Sequence, residues 1–412
     1  MKAKEDISRK LLDAIEHIDT LDLDTLVNAI ELVRTGIYDD IRLDTGVAFK
    51  SEAVKCIEEA LTFTFDSQKD ISETVSEEFI WKRLREICGK AVLNEERNKY
   101  NLIIKEVGNL LKDISKIESR VFFFRVFNLK CSTNYDFGYI KLYPDKPAFL
   151  SEINELYPTI KESRKIKERL DKFLEDNDDY SIAKVHISSA EDVNAKKKAF
   201  YKLDQFLNIW RSLDFRDPIW IEGEASPTMR IYHSYNENTE RYSESFEREG
   251  ITTNSIDLEK LYQLNPDIMN KLESIWKKEA RTPLEEKIIN SLIWLGDAIK
   301  EKDKVHKLVK MIISLESLLL DKEQNKKNII QERCAFVLSN DYTDRIEIKG
   351  IIEKAYNFRN KIVHEGQVPF IPMSTLLSLH GLIIDLNVRI LMSDDWQSII
   401  AIKDFVEEEK YK

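Results

Sequence analysis

The chain has 412 residues, 42% hydrophobic and 33% charged, with only 11 Gly and 9 Pro. That length predicts two or three domains rather than one simple core. Abundant charge with little Gly and Pro favours a mainly α protein over disordered and strand-rich classes, while the net charge of −11 argues at first against a nucleic-acid partner.

The acidity is local. Lys271 to Lys412 carries 23 basic and 23 acidic side chains, leaving 40 against 51 in the first 270 residues. Either the N-terminal acidity only aids solubility, or it marks a part that does not bind nucleic acid while the neutral C-terminal part binds through a focused site. Met1 to Thr20 holds no apolar run long enough for a signal peptide or membrane span, which predicts a cytoplasmic protein with no membrane partner. Cys56, Cys88, Cys131 and Cys334 lack the paired spacing of a zinc site. They read as buried or half-buried small hydrophobes, with neither disulfide nor metal expected.

In chain order, residues 1–117 form a helical N-terminal region. Leu11, Leu12, Ile15 and Ile18, then Leu102, Ile103, Val107, Leu110 and Leu111, recur at helical spacing. Residues 118–236 read as a small α/β module. Its expected strands are Phe122 to Lys130, Gly138 to Tyr143, Ser181 to Ser188, Pro218 to Ile221 and Met229 to Tyr235. Its expected helices are Lys146 to Tyr157, Ile160 to Glu175 and Ala190 to Leu213. Residues 237–255 are polar and read as an exposed loop or linker. Residues 256–412 return to helical periodicity. Pro283 opens a helix to about Lys300; others follow at Lys304 to Leu320, Asn328 to Leu338, Asp344 to Glu365 and Met373 to Leu391, with a short one after Trp396. Gly366 is placed to end the fourth in a left-handed conformation.

The chemistry concentrates at the end of that fourth helix, in Arg359-Asn360-Lys361-Ile362-Val363-His364-Glu365-Gly366. Five residues turn a helix by about 500°, so Arg359 and His364 stand about 140° apart, while Asn360 and His364 share a face. The reach of arginine lets the three surround one anion. A fixed cation, an amide and an imidazole are the parts of RNA cleavage without metal. The helix C-terminus and Glu365 both favour a protonated His364. The competing reading is that His364 caps the helix and Arg359 pairs with a surface carboxylate.

Ala355-Tyr356-Asn357-Phe358, leading into Arg359 to Gly366, resembles the signature of the HEPN superfamily, in its Apea-like branch. Ser291 to Ala298 and Ser314 to Leu319 are similar to the same branch, and together the likeness covers about Leu284 to Leu391. Val185 to Leu213 resembles the segment that often precedes this domain. The resemblance implies an all-α bundle and, in active members, an endoribonuclease that uses no metal or cofactor. Arg359, His364 and Asn360 match the motif's catalytic positions, and Glu316 matches an acidic position that braces or assists. It also implies a homodimer in which two motif helices meet over one composite cleft, and a bacterial anti-phage or toxin-type effector whose N-terminal region answers to a phage-derived or protein trigger. Other members of the superfamily are inactive scaffolds for nucleotide or RNA binding or for dimerisation, and that alternative stays open.

Lys304, Lys307 and Lys310 lie in the most basic stretch and either begin a solvated helix or guide RNA toward the cleft. His186 has no second His-x-Ser partner and reads as a strand residue, as does His233. No phosphate-binding glycine loop, nucleophile elbow or paired-His metal helix occurs, which disfavours ATPases and serine hydrolases.

Overall fold

The computed structural model describes residues 2–411 except 23–24, 26–28, 35, 43–44, 68–70, 95–97, 157–167, 169–173, 175–179, 215–218, 222–228, 237–240, 249–254 and 322. The fold is mainly α, as the composition predicts. Two compact units share the chain: residues 1–122 with 186–200, and residues 123–185 with 201–412. The expected module at 118–236 is therefore divided, its residues 118–122 and 186–200 grouping with the N-terminal helices.

In the first unit, α1 (Lys2–Ile15), α3 (Ser51–Asp66), α5 (Glu77–Leu93) and α6 (Lys99–Ile114) form the main bundle, with short α2 (Ala29–Arg34) and α4 (Ile71–Thr74) beside them. Ile7, Leu11, Ile57, Leu84, Ile103 and Val107 are fully buried in its core. One feature departs from the expected all-helical region. Strands β1 (Ile18–Thr20), β2 (Asp40–Arg42) and β3 (Val47–Phe49) make an antiparallel sheet in the order β1-β3-β2. Each has three residues, too few to show an alternation that competes with helical spacing. Gly46 at φ 68° turns the chain between β2 and β3.

A five-stranded sheet runs β6 (Tyr135–Asp136), β7 (Ile140–Tyr143), β8 (Tyr180–Ser189), β4 (Glu118–Phe127), β9 (Trp220–Ile221). The expected single strand to Lys130 breaks at Asn128, whose φ is 61°. The chain resumes as β5 (Leu129–Lys130), which pairs in parallel with β12 (Ile256–Asp257). Helices α7 (Lys146–Leu156) and α8 (Asp192–Arg211) fall where periodicity places them, whereas the helix expected at 160–175 lies almost wholly outside the described residues. The stretch read as a linker holds a strand. β11 (Arg241–Arg248) pairs antiparallel with β10 (Met229–Asn236) over its whole length, Asn236 opposite Arg241 and Met229 opposite Arg248. Backbone pairing needs no apolar run, so polar composition concealed it.

In the second unit, α9 (Leu258–Leu264) and α10 (Pro266–Lys277) lead to the bundle of α11 (Pro283–Lys300), α12 (Lys304–Leu319), α13 (Lys326–Leu338), α14 (Tyr342–Glu365), α15 (Met373–Met392) and α16 (Ile399–Lys410). Pro283 sits in the first turn of α11, behind a capping box of Thr282 and Glu285. Helices α11 and α12 pack together, α13 packs on α14, and α15 touches all four. Leu292, Leu295, Leu315, Leu318, Ile383 and Leu386 are among the buried side chains that bind them, each worth roughly 1.5–3 kcal/mol of burial. A buried polar knot fixes their register. Ser314 donates to the Ser291 carbonyl at 2.7 Å, and Asn387 donates to Ser291 Oγ at 2.9 Å and to the Ile383 carbonyl at 2.8 Å. By length and composition α15 would suffice to cross a membrane. Here it is a core helix, carrying buried Asn387 and His380 among its apolar residues. Cys88, Cys131 and Cys334 are buried and Cys56 is half-buried, all as free thiols.

Candidate active site at the end of helix α14

Helix α14 begins at Asp341, whose carboxylate accepts from the Thr343 and Asp344 amides at 2.7 and 3.1 Å. Ile352, Ala355 and Tyr356 form its buried face. One turn further on, that face gives way to half-buried Phe358 and Arg359, and then to exposed Asn360, Val363, His364 and Glu365. Gly366 ends the helix at φ 64°, and the Gln367 amide returns to the Lys361 carbonyl at 3.0 Å. The carbonyl is thus capped by backbone, leaving His364 out of that role.

Arg359 Nη1 lies 2.9 Å from His364 Nε2. Their starting points are well apart around the helix, and the length of the arginine closes the gap. A guanidinium has donors only, so in this contact Nε2 is the acceptor. Among the described residues Arg359 has no carboxylate partner, so it is not the surface ion pair of the competing reading. Asn360 is exposed beside them, and its amide meets no side chain or backbone partner among the described residues. Glu365 is exposed and forms no ion pair among the described residues.

Glu316 is a brace. Its Oε1 accepts from the Tyr356 hydroxyl at 3.0 Å, and its Oε2 takes the Lys326 ammonium at 2.7 Å. Tyr356 stands one turn before Arg359, so the bond ties α14 to α12 directly behind the exposed pair. Burial, and then the charge of Glu316, push the tyrosine hydroxyl far above its ordinary pKa. The sequence motif does not by itself single out Tyr356. A tyrosine on the buried face of a helix was the available signal, because its hydroxyl requires a partner.

The three lysines fare differently. Lys304 is exposed, its Nζ 5.7 Å from the ring centre of Phe370, in the segment that leaves α14. Lys307 is half-buried, and burial lowers its pKa. Lys310 is held by Asp297 at 2.9 Å and Glu301 at 3.1 Å. Burial opposes its charge, but the two carboxylates outweigh it and raise the pKa. Lys304 alone of the three keeps its charge available at the surface. Apolar side chains lie exposed around the same helix end: Val363, Val368, Phe370, Met373 and Leu377, with Phe370 82% exposed.

Comparison with protein-family models, with curated proteins and with solved structures finds no match. Among the described residues, no three His, Cys, Asp or Glu side chains converge as metal ligands.

The brace makes a prediction of its own. Tyr356→Phe and Glu316→Ala should each lower bundle stability by about 1 kcal/mol, and the double variant should cost little more than either single one. Urea unfolding of the four proteins tests the coupling. Additive losses would mean that the two side chains do not act through each other.

Proposed function

We propose that this protein is an endoribonuclease and that the end of α14 is its cleavage site, built on a HEPN-like bundle. The reading rests above all on Arg359 and His364 meeting at 2.9 Å on an exposed helix end, with no carboxylate on the guanidinium among the described residues. Similarity of residues 355–366 to the Apea-like signature adds to it.

On this reading the substrate phosphate draws Arg359 away from His364 and frees Nε2 to take the proton of the ribose 2′-hydroxyl. The 2′-oxygen then attacks phosphorus, Arg359 offsets the charge gathering on the phosphoryl oxygens, and the 5′-oxygen leaves as it takes a proton from a second, protonated His364. The products are a 2′,3′-cyclic phosphate and a 5′-hydroxyl. Asn360 orients the hydroxyl or the imidazole, and Lys304 steers the RNA backbone. Proton and charge are both supplied by side chains, so no metal or cofactor is required by this scheme.

In-line displacement puts the entering 2′-oxygen and the leaving 5′-oxygen on opposite sides of phosphorus, so one imidazole cannot reach both. A homodimer joined through the exposed Val363, Val368, Phe370, Met373 and Leu377 would bring a second His364 to one composite cleft. The protein would act in the cytoplasm as a bacterial anti-phage or toxin-type effector, its N-terminal region answering to a phage-derived or protein trigger.

The same exposed apolar side chains favour one rival, a scaffold that dimerises and holds RNA or a nucleotide without cutting it. Incubating the purified full chain with a mixed RNA pool in excess chelator separates the two. The nuclease yields fragments ending in cyclic phosphate, whereas intact RNA retained on a dimer would establish the scaffold.

A further inference from the structure

The second unit contains a cavity of about 550 Å³ to which the α14 site contributes no residue. We infer that this cavity, walled by Tyr139, Lys202, Trp276, Arg281 and Asn290, binds a nucleoside monophosphate. Its size lies within the roughly 300–1,000 Å³ typical of small-molecule sites. The turn at Phe137 to Tyr139 forms one wall, with Gly138 at φ 84°. The remaining walls come from α8, the end of α10 and the outer face of α11.

The chemistry of the walls selects the ligand. Tyr139 packs on Trp276 with 5.6 Å between ring centres and a tilt of 40°; Trp276 is itself buried beneath Phe206 and the Arg281 guanidinium, so half-buried Tyr139 is the ring that a planar base can meet. Burial raises the Tyr139 hydroxyl far above its ordinary pKa, so the ring presents a neutral face. Three of the four cations in the lining are already matched: Lys277 by Glu273 at 2.6 Å, Lys278 by Glu285 at 2.5 Å and Arg281 by Glu286 at 3.2 Å. Lys202 is the exception. Its Nζ lies 4.9 Å from the Tyr139 ring centre, and no carboxylate reaches it among the described residues.

Glu279, exposed and without an ion pair among the described residues, lines the cavity as well, so Lys202 is the group that can take one phosphate, and a base entering against Tyr139 displaces the flexible lysine onto it. Asn290 carries an amide with no partner among the described residues, able to donate to and accept from the edge of a base. The Tyr139 ring, the exposed Asn290 amide and the Lys202 ammonium together match a base joined to one phosphate better than either a bare anion or an apolar ligand.

Calorimetric titration of the full chain with AMP, GMP, CMP and UMP, and with adenosine and inorganic phosphate as partial ligands, tests the assignment. At least one monophosphate should bind saturably with a Kd below about 1 mM, and both partial ligands more weakly. Lys202→Glu, a surface change that leaves the core untouched, should weaken binding at least about tenfold by setting like charges together. Asn290→Ala should weaken it too, and His364→Ala should leave it unchanged whether or not the protein cuts RNA. Absence of saturable binding by all four monophosphates, or binding indifferent to both cavity substitutions, would overturn the proposal. So would binding abolished by His364→Ala, which would place the ligand at the end of α14.

Discussion

His364→Ala should abolish RNA cleavage by the full chain, lowering the rate by about 10²–10⁴-fold, the usual contribution of a positioned general acid or base. Arg359→Ala should lower it by about 10²–10³-fold, as expected when a preorganised donor to developing charge is removed. Neither change should disturb folding, because His364 is exposed and Arg359 is only half-buried and outside the buried core. Arg359→Lys keeps the charge but loses the planar fork, and should recover only part of the rate. The decisive comparison is cleavage rate against unfolding midpoint across the three variants. Rates near wild type with His364 absent would move the chemistry elsewhere, and rates that fell only alongside the midpoint would make the pair structural.

The largest effect on stability is expected from a single methyl group. Gly296, midway along α11, is so close to Asn208 on α8 that a Cβ built there would lie 1.9 Å from the Asn208 carbonyl oxygen. Backbone cannot yield as a side-chain end can, so Gly296→Ala should cost about 3 kcal/mol or more through displacement of one helix from the other. Gly350 and Gly381 supply the contrast. Both lie inside helices, and a Cβ at either meets nothing within 4 Å. Alanine there should stabilise by roughly 0.5–1 kcal/mol through helix propensity alone. Urea midpoints of the three variants would read opposite signs. A Gly296→Ala protein as stable as the wild type would show that the two helices can part without cost.

Sequence periodicity was most informative where elements are long. The helices α11 to α15 fall within a few residues of their expected bounds, because each spans enough turns for its apolar stripe to be unambiguous. The end of α14 was legible for a different reason: Arg359 and His364 are polar groups that packing does not explain, and Gly366 marked the stop. Features set by distant partners were hidden. That Lys310 is spent on Asp297 and Glu301 depends on how α11 meets α12, and nothing in a run of lysines announces it. The same holds for Gly296, whose absent side chain matters only because Asn208 lies opposite. The strand β11 lacked an apolar signature, and the positive φ of Asn128 cut short a run rich in aromatic side chains that favour extension. In each case the deciding interaction joins residues far apart in sequence or lies in the backbone.

The central claim is that cleavage proceeds through the ribose 2′-hydroxyl under the action of Arg359 and His364. It is tested most directly with one RNA oligonucleotide that the protein cuts, remade with a 2′-deoxy sugar at the nucleotide whose 3′-phosphate is cleaved. The account predicts that cutting at that linkage disappears while binding of the oligonucleotide persists. Undiminished cleavage of the deoxy-substituted linkage would contradict it, since no internal nucleophile would then remain at the phosphorus.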